Sequence, residues 1–396
     1  MNGSTAGAEG FELPTPNEAD RAKSLALIEL LVERMAEGPI PFAEYMATVL
    51  YHPRYGYYGS GQVAFGPGGD FVTAPERSRF FTEGVAYEWR QAREAGLGDA
   101  ILEIGAGSGR LAIDLMTILA DEGRLPARYV ILEISPALAE RQASNLREAL
   151  PAEAFERIHW IDDWSALDWD GGMVVANEVL DAMPVERFRW WPGKPDTVER
   201  LMVGFDGQRF CWRPTRPDAR LHEAAEAITR RIGEGIVPAR MEVMAEYNPE
   251  LGAWFAEMGR ALSGGESWVY LFDYGSHTAD IYRADRDEGT LKCHYRHLAH
   301  EDPFVYPGLQ DITAWVDFQA VEIAAREAGF AVDGERSQAQ WLLGTDVPRR
   351  VEALLLAQSG MADQTRLAQE FRELVMPTEM GERFRVMRLR LPGVDA

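Results

Sequence analysis

The sequence predicts an α/β fold built around a parallel β-sheet, with further segments attached to that core. Between residues 100 and 177, short apolar runs alternate with amphipathic stretches, which is the pattern of repeated βαβ units. The chain has 396 residues, of which 46% are hydrophobic. A chain of this length exceeds what one hydrophobic core usually supports. We therefore expect two or three domains, or one domain with large insertions.

The first 98 residues divide into a polar tail and a helical region. Residues 1–20 are rich in Gly, Ser, Thr, Pro and acidic side chains, which predicts a flexible tail. Residues 21–98 are interpreted as an N-terminal helical and lid region, because apolar side chains recur at helical spacing over residues 25–35. Residues 51–76 are crowded with Gly, Pro and Tyr. This composition favours an ordered loop or lid, since the aromatic rings need packing partners.

The pattern of residues 99–185 predicts the first part of the α/β core. Strands are expected at 100–105, 129–135, 158–161 and 173–176, and helices at 109–123 and 136–150. Residues 264–396 are expected to complete the core, with a buried strand at 267–275 and a terminal strand at 384–391.

The alternation is interrupted at residues 186–263, which we interpret as an insertion subdomain on the substrate side. Two strands joined by Asp206-Gly207 are expected there, because that dipeptide is typical of a hairpin turn. A helix is predicted to follow at 220–234.

The charge balance argues against several classes of partner. Forty Lys and Arg residues stand against 63 Asp and Glu, which gives a net charge of −23. Such a chain repels phosphate backbones and anionic membranes, so neither a nucleic-acid partner nor membrane insertion is expected. No apolar run reaches about 18 residues, and the acidic start is unlike a targeting segment. Cys211 and Cys293 are the only cysteines, so we expect a cytoplasmic protein without a disulfide framework.

A glycine-rich turn follows the first predicted core strand. Gly105-Ala106-Gly107-Ser108-Gly109 leads directly into a helix, and its glycines bring backbone N–H groups close to a ligand. A dinucleotide-binding motif would place its third glycine at position 110, which is Arg110. The observed spacing, with Glu103 two residues before the turn, is instead the pattern of class I S-adenosylmethionine-dependent methyltransferases. It predicts a cofactor site that includes Glu103 and Ala106.

Acidic residues follow the next two predicted strands. Glu133 comes 28 residues after Gly105, at the strand end where a ribose diol would lie, and a carboxylate can accept both hydroxyl hydrogens. Asp162 and Asp163 follow the third strand and are predicted to accept a hydrogen bond from an adenine amino group.

The fourth strand ends in a second acidic group. Asn177, Glu178 and Asp181 lie past its carboxyl end, which is the edge where open α/β sheets bind ligands. Two carboxylates beside a sulfonium suit a cationic nucleophile. Presenting an arginine guanidinium as neutral at pH 7 costs roughly 7 to 9 kcal/mol, so carboxylates that hold the cation and take its proton would assist methyl transfer. The alternative is that Glu178 caps a helix beginning at Val179 and that Asp181 is solvated.

Eight segments, in order along the chain, resemble the signature segments of the MidA family. They are PFAEYMATVLYHPRYGYY, GGDFVTAPE, LEIGAGSG, LEISPALAERQ, ANEVLDAMPVERF, FDYG, PGLQDITAWVDF and MGERFRV. The resemblance implies a Rossmann-like class I methyltransferase core with S-adenosylmethionine as the methyl donor. The mitochondrial branch of the family methylates a protein arginine and assists respiratory complex I assembly, so a protein substrate presenting an arginine is implied. Since no presequence is visible, the chain resembles a bacterial relative.

The resemblance also assigns roles to individual positions. It implies cofactor binding by Gly105, Gly107, Gly109 and Glu133, acceptor contacts by Glu178 and Asp181, and a lid that closes over the cofactor through Asp70 and Thr73.

Two other functions stay open from the sequence. One is a small-molecule methyltransferase, and the other is a cofactor-binding assembly chaperone with little turnover. A homodimer is also left open.

A cluster of potential metal ligands occurs late in the chain. Cys293, His294, His297 and His300 give a dense C-H-x-x-H-x-x-H pattern. The surrounding residues favour a strand and a turn, and no second ligand group is near in sequence. We therefore predict no metal site, and we interpret His297 as a pocket or packing residue.

Overall fold

The computed structural model describes residues 13–61, 63, 66, 73–191, 194–233, 242–283, 286–358 and 360–393. Four helices precede the first core strand. They are α1 (Glu18–Arg34), α2 (Phe42–Tyr51), α3 (Ala74–Arg77) and α4 (Arg79–Glu94), with a 3₁₀ turn at Met35–Glu37.

Helix α1 begins earlier than the sequence predicts. Asn17 caps it, because its Oδ1 accepts a hydrogen bond of 2.8 Å from the Asp20 N–H. Glu18 and Asp20 lie in the first turn, where carboxylates interact favourably with the helix dipole. Residues 18–20, predicted as part of the tail, therefore belong to α1, and residues 1–12 lie outside the described residues.

The next part of the chain forms the predicted βαβ units. Its elements are β1 (Ala100–Ile104), α5 (Arg110–Asp121), β2 (Arg128–Leu132), α6 (Pro136–Ala149), α7 (Ala152–Phe155), β3 (Ile158–Ile161), a 3₁₀ turn at Trp164–Ala166, and β4 (Gly172–Asn177). Each predicted strand and helix of this part is present, with ends that differ by at most a few residues.

An interruption then separates β4 from the rest of the central sheet. It contains β5 (Glu186–Trp191), β6 (Lys194–Phe205), β7 (Phe210–Thr215), α8 (Ala219–Ile232) and β8 (Val243–Tyr247). Asp206 and Gly207 form the β6–β7 turn, with Gly207 at φ 99°. Helix α8 ends two residues before the predicted limit, because Gly233 at φ 77° ends it.

The final part returns to the central sheet. Its elements are α9 (Leu251–Ala261), β9 (Ser267–Ser276), α10 (Thr278–Ile281), β10 (Lys292–Tyr295), β11 (Leu298–His300), β12 (Asp311–Thr313), β13 (Val316–Asp317), α11 (Phe318–Glu327), β14 (Ala331–Ser337), α12 (Gln338–Leu343), α13 (Val347–Ala357), α14 (Met361–Val375) and β15 (Phe384–Leu391).

The central sheet has the order β14-β15-β9-β4-β1-β2-β3. The pairs from β9 to β3 are parallel, whereas β15 runs antiparallel to both β9 and β14. After β1 the chain builds outward through β2 and β3, and it then crosses to β4 on the other side of β1. The order therefore reverses between β1 and β4, and open α/β sheets bind ligands at such a switch point, outside the carboxyl ends of the strands.

Helices cover both faces of this sheet, so its strands are buried on two sides. One core contains Phe81, Met173 and Phe272, with side chains from α4, α5 and α12. The other contains Val174 and Leu271, with side chains from α9 and α11. Burial on both faces explains why these strands are continuous apolar runs in the sequence.

Two smaller sheets complete the fold near the carboxyl ends of the strands. The first has the order β7-β6-β5-β8, and it packs between α8 and the N-terminal helix α2. The second has the order β11-β10-β12, and its Cys293 and Ile312 pack with α2. None of the helices in the described part of the chain is both long enough and apolar enough to cross a membrane.

Replacement of Trp341 by alanine is expected to destabilise the protein strongly. Trp341 is 2% exposed, its ring centroid lies 4.7 Å from that of Phe272, and its Nε1 donates a 2.9 Å hydrogen bond to Glu88. The variant leaves a cavity and removes a partner of a buried carboxylate, so we expect a loss of about 3 to 5 kcal/mol in the free energy of unfolding. Urea denaturation measures this loss. Leu343→Ala, in the same helix but 55% exposed, is the control and should change stability by less than about 0.5 kcal/mol; equal losses would contradict the packing described here.

Candidate active site

The glycine-rich turn lies at the switch point of the sheet, directly after β1. Gly105, Gly107 and Gly109 have φ values of 67°, 55° and 84°, which is the left-handed region that favours glycine. The Gly105 N–H donates to the Leu132 carbonyl oxygen at 3.0 Å, and this bond ties the turn to β2. The left-handed backbone conformation at these three positions therefore explains why each of them is glycine.

Helix α6 holds the back of this turn. The side-chain amide of Gln142 donates to the Gly107 carbonyl oxygen at 3.0 Å, and that of Asn145 donates to the Ser108 carbonyl oxygen at 3.0 Å. A Cβ added at Gly109 would lie only 2.4 Å from Leu146 Cδ1. With its carbonyl groups bonded to α6, the turn presents its opposite side to a cavity.

This cavity has a volume of about 1090 Å³, whereas pockets for a single small ligand are typically about 300–1,000 Å³. It has room for a cofactor and part of an acceptor. Most residues proposed from the sequence line it, namely Thr73, Glu103, Gly105, Ala106, Gly107, Glu133, Asp162, Asp163, Asn177, Glu178 and Asp181. Gly109 does not line the cavity but supports the turn from behind, and Asp70 lies outside the described residues.

Glu133 directly follows the last residue of β2 and lines the cavity. Its two carboxylate oxygens accept hydrogen bonds of 2.9 Å each, one from the Ser135 N–H and one from the Gln142 amide. It is 7% exposed, and burial raises its pKa while these two hydrogen bonds oppose that shift. Because Gln142 also holds Gly107, one side chain positions both the carboxylate and the glycine turn.

Glu103 lies in β1, where it is 4% exposed and accepts a 2.7 Å hydrogen bond from the Tyr129 hydroxyl. Burial raises its pKa to about 7; the Tyr129 hydrogen bond lowers the value, and the Glu133 charge raises it further.

Asp162 and Asp163 line the cavity and are both exposed. The Asp163 carboxylate accepts a 2.8 Å hydrogen bond from the Ser165 N–H, and it thereby caps the 3₁₀ turn at Trp164–Ala166. Hydrogen bonds from the Ser165 side chain and from its backbone N–H lower the Asp163 pKa. Contact of Asp162 or Asp163 with an adenine amino group stays a prediction.

The residues after β4 form a turn that we call the acid turn, residues 178–181. Glu178 has a φ of 52°, a left-handed conformation uncommon for a residue with a side chain, and its N–H donates to the Phe272 carbonyl oxygen at 2.8 Å. No helix begins at Val179. The alternative role of Glu178 as a helix cap is therefore wrong, and so is a solvated Asp181, which is 4% exposed.

The two carboxyl groups of the acid turn have strongly raised pKa values. Burial and the charge of Asp181 raise the pKa of Glu178 to about 8, against weaker opposing hydrogen bonds from the Ala74 backbone and Asn177. Burial raises the pKa of Asp181 to about 6, although a hydrogen bond with Tyr274 opposes the shift. No described Lys, Arg or His is among the groups that shift either pKa. Neither carboxyl group of the acid turn therefore has an ion-pair partner among the described residues.

The part of the cavity around the acid turn, which we call the acceptor end, has a further wall that was not predicted from the sequence. Strands β10, β11 and β12 direct alternate side chains into the cavity, and these are Lys292, His294, Ala299, Asp311 and Thr313. Tyr51, Tyr58 and Tyr274 complete the wall. The Tyr58 hydroxyl donates to Asp311 at 2.8 Å, and the rings of Tyr51 and Tyr58 stack with centroids 5.7 Å apart.

The same alternation separates the side chains of the Cys-His cluster at residues 293–300. Cys293 and His300 are paired on the face of the small sheet away from the cavity, whereas His294 points to the cavity face. Among the described residues, no group of three or more His, Cys, Asp and Glu side chains could hold a metal ion. The prediction for His297 is wrong: it is an exposed turn residue with a φ of 63°, and His294 is the histidine of the cavity.

Comparison with known proteins identifies the family. Residues 82–336, more than half of the chain, match the family model described as "Putative S-adenosyl-L-methionine-dependent methyltransferase". The chain belongs to this methyltransferase family. The expected MidA-type core and its cofactor, S-adenosylmethionine, are thereby confirmed.

Individual methyltransferase relatives match over most of the chain. A protein of Burkholderia thailandensis, whose crystal structure holds S-adenosyl-homocysteine, is 36% identical with a TM-score of 0.84, and the match covers 96% of this chain and 95% of that protein. "Protein arginine methyltransferase NDUFAF7 homolog, mitochondrial" of Drosophila melanogaster is 28% identical over 93% of this chain and 85% of its own length. The rat protein of the same kind is 28% identical over 90% and 82%.

The site fits the cofactor of the methyltransferase family. The glycine turn keeps side chains out of the cavity beside Glu133, and a Cβ added at Gly105 would press on Val179 at 3.2 Å. An acid-lined cavity also suits a ligand that carries a sulfonium.

Replacement of Gly107 by valine is expected to abolish cofactor binding. A β-branched side chain is strained at a φ of 55° and would project from the turn that faces the cavity. Calorimetry with S-adenosylhomocysteine should show an affinity loss of at least about 100-fold, or roughly 2.7 kcal/mol. Gly123→Val is the matched control, because Gly123 has a φ of 67° and open space around its Cβ; it carries a similar strain away from the turn. Unchanged binding by the Gly107 variant would overturn the assignment of the cofactor site.

Replacement of Glu178 by glutamine is expected to stabilise the ligand-free protein at high pH. A carboxyl group whose pKa is raised in the folded state favours the protonated form, so stability falls as pH rises from about 4.5 to about 8. Glutamine has no such titration. In urea denaturation the variant should resemble wild type at pH 5 and exceed it by roughly 1 to 3 kcal/mol at pH 8.5. Glu257→Gln, an exposed carboxylate at the same cavity, should change little at either pH, and a gain independent of pH for Glu178→Gln would contradict the reasoning.

Proposed function

We propose that this protein transfers a methyl group from S-adenosylmethionine to a guanidinium nitrogen of an arginine in a protein. The observation that carries the proposal is the acid turn, where Glu178 and Asp181 face the cavity without a cationic partner among the described residues. The names of the mitochondrial relatives as protein arginine methyltransferases favour the same acceptor.

The remaining walls of the acceptor end support a guanidinium ligand. Tyr51 and Tyr58 offer aromatic rings and Asp311 offers a further carboxylate. A guanidinium is planar, stacks on aromatic faces and donates several hydrogen bonds in its plane to carboxylates. The arrangement therefore favours arginine over an ammonium ligand, which lacks the planar fork.

Each group at the site has a part in the proposed reaction. When bound, S-adenosylmethionine supplies the methyl group and leaves as S-adenosylhomocysteine. Glu133 holds the ribose hydroxyls, and Glu178 and Asp181 hold the guanidinium in line with the methyl group. The methyl–sulfur bond breaks as the methyl–nitrogen bond forms, and the proton lost by that nitrogen passes to a carboxylate of the acid turn.

The identity of the acceptor is a finer part of the proposal. We infer that the acceptor is a protein, and in particular a subunit of a respiratory complex. We also infer that the methyltransferase acts in the cytoplasm of a bacterium. The free cysteines Cys211 and Cys293 are in keeping with a reducing compartment.

The proposal is tested by incubating the purified protein and S-adenosylmethionine with a labelled methyl group in a lysate of cells from which the gene has been deleted. Label in protein, recovered as methylarginine after acid hydrolysis and identified by mass, is the expected result. Label in the small-molecule fraction would instead favour a small-molecule methyltransferase. Cofactor binding without any label would favour an assembly chaperone, and either result would overturn the proposal.

Replacement of Asp181 by asparagine is expected to end turnover without ending cofactor binding. The variant keeps the shape of the side chain but removes the charge that holds the guanidinium and accepts its proton. We expect methyl incorporation to fall at least about 100-fold, while affinity for S-adenosylhomocysteine stays within about threefold. Asp170→Asn is the control, because Asp170 is an exposed residue at the opposite end of β4, paired with Arg128. Retained turnover in Asp181→Asn would remove this residue from the mechanism.

A further inference from the structure

The acid turn is held from behind by a third buried carboxylate that does not line the cavity. Asp273 lies in the FDYG segment near the end of β9 and is 1% exposed. One of its oxygens accepts the N–H of Leu180 at 2.9 Å and that of Asp181 at 3.3 Å. The other accepts the N–H of Tyr274 at 2.9 Å.

The bonds to Leu180 and Asp181 join the two halves of the site. The acid turn follows β4, whereas Tyr274 belongs to β9, and the sequence separates them by more than ninety residues. Asp181 is held on its other side as well, because its carbonyl oxygen accepts the Ala314 N–H at 3.0 Å. The main chain of Asp181 is therefore fixed at both its N–H and its carbonyl group.

We propose that Asp273 is a positioning residue for methyl transfer, which fixes the acid turn through its backbone N–H groups and places a second negative charge behind Asp181. This inference rests on the proposed function, because it concerns the base that the reaction needs. Asp273 touches neither cofactor nor acceptor and acts only through the turn.

The electrostatic surroundings of Asp273 support this role. Glu178 and Asp181 approach it from the acid turn, and burial together with these two charges raises its pKa. The backbone N–H groups of Leu180 and Asp181 oppose this shift, because they bond to the ionised form. Tyr274 follows it on β9, and its side chain lowers the pKa of Asp181. On β15, Arg385 is its register partner but forms an ion pair with Glu335 at 3.0 Å.

The electrostatic interaction between Asp181 and Asp273 affects the pKa of both residues. If Asp181 raises the pKa of Asp273, then Asp273 must raise the affinity of Asp181 for a proton, because their interaction energy is shared. A more basic Asp181 is a better acceptor for the proton that the guanidinium loses, provided that it is ionised at the working pH.

Asp273→Asn separates this role from simple structural support. The amide keeps the shape of the carboxylate but carries no charge, and its NH₂ group can no longer accept a backbone N–H. We expect kcat to fall at least about 30-fold with cofactor affinity within about threefold, and the acidic limb of the pH–rate profile to move at least about half a unit to lower pH.

Ser267→Ala is the matched control for structural damage. Ser267 is fully buried at the other end of β9, and its hydroxyl accepts a 2.8 Å hydrogen bond from the Trp169 indole N–H. Its loss should lower stability and leave the acidic limb in place. If Asp273→Asn behaves like Ser267→Ala, with reduced stability and an unmoved limb, the positioning role is overturned.

A second measurement does not require methyl transfer, so it stays informative if the proposed function fails. The melting temperature of the ligand-free protein should fall between pH 5.5 and pH 8.5, because raised carboxyl pKa values remove stability as pH rises. Asp181→Asn and Asp273→Asn should each reduce this fall. In the double variant the reduction should be smaller than the sum of the two, since either change alone relieves the same repulsion. Strict additivity would overturn the charge coupling, whereas coupling without any arginine methylation would overturn only the proposed function.

Discussion

The repulsion among buried carboxylates at the carboxyl ends of β4 and β9 is the constraint on which the site depends. Glu178, Asp181 and Asp273 all lose hydration, the charge of Asp181 raises the pKa of Glu178, and the charges of Asp181 and Glu178 raise the pKa of Asp273. No described cationic side chain is among the groups that shift these pKa values. Such an arrangement lowers the stability of the ligand-free protein above neutral pH. A cationic ligand reverses this effect, so the free energy that the fold loses in its empty state strengthens the binding of a cation.

The rest of the molecule explains how this repulsion is tolerated. The acid turn is bonded to Phe272 and Asp273 of β9, and β9 is itself paired along its length with β4 and β15. Opening the turn would therefore disturb the centre of the main sheet, which is packed on both faces. The left-handed backbone of Glu178 persists for the same reason, because the surrounding hydrogen bonds determine its conformation more strongly than its own preference does.

The sequence predicted well what is local along the chain. The glycine turn, Glu133 and the acid turn each follow a strand directly, so the periodicity of the strands was enough to place them at one edge of the sheet. Tyr58 and Asp311 could not be found in this way, because 253 residues separate them and only the tertiary fold brings them to a 2.8 Å hydrogen bond. Cys293 and His294 illustrate the converse case. Residues adjacent in the sequence suggested one ligand cluster, but the two-residue period of β10 sends their side chains to opposite faces.

The proposed reaction changes the charge of the cavity, and this change has a consequence for turnover. The sulfonium and the guanidinium bring two positive charges to the acid turn; afterwards the sulfur is neutral, the methylated guanidinium keeps one positive charge, and the proton that its nitrogen lost is on the protein. Transfer of that proton to Asp181, with its pKa of about 6, is less favourable than transfer to Glu178, with its pKa of about 8. Asp181 is nevertheless the more buried group, and Glu178 is the more exposed. A proton taken up at Asp181 can pass to the more basic Glu178, which is nearer to solvent, and the charge of the acid turn is restored once Glu178 releases that proton to water.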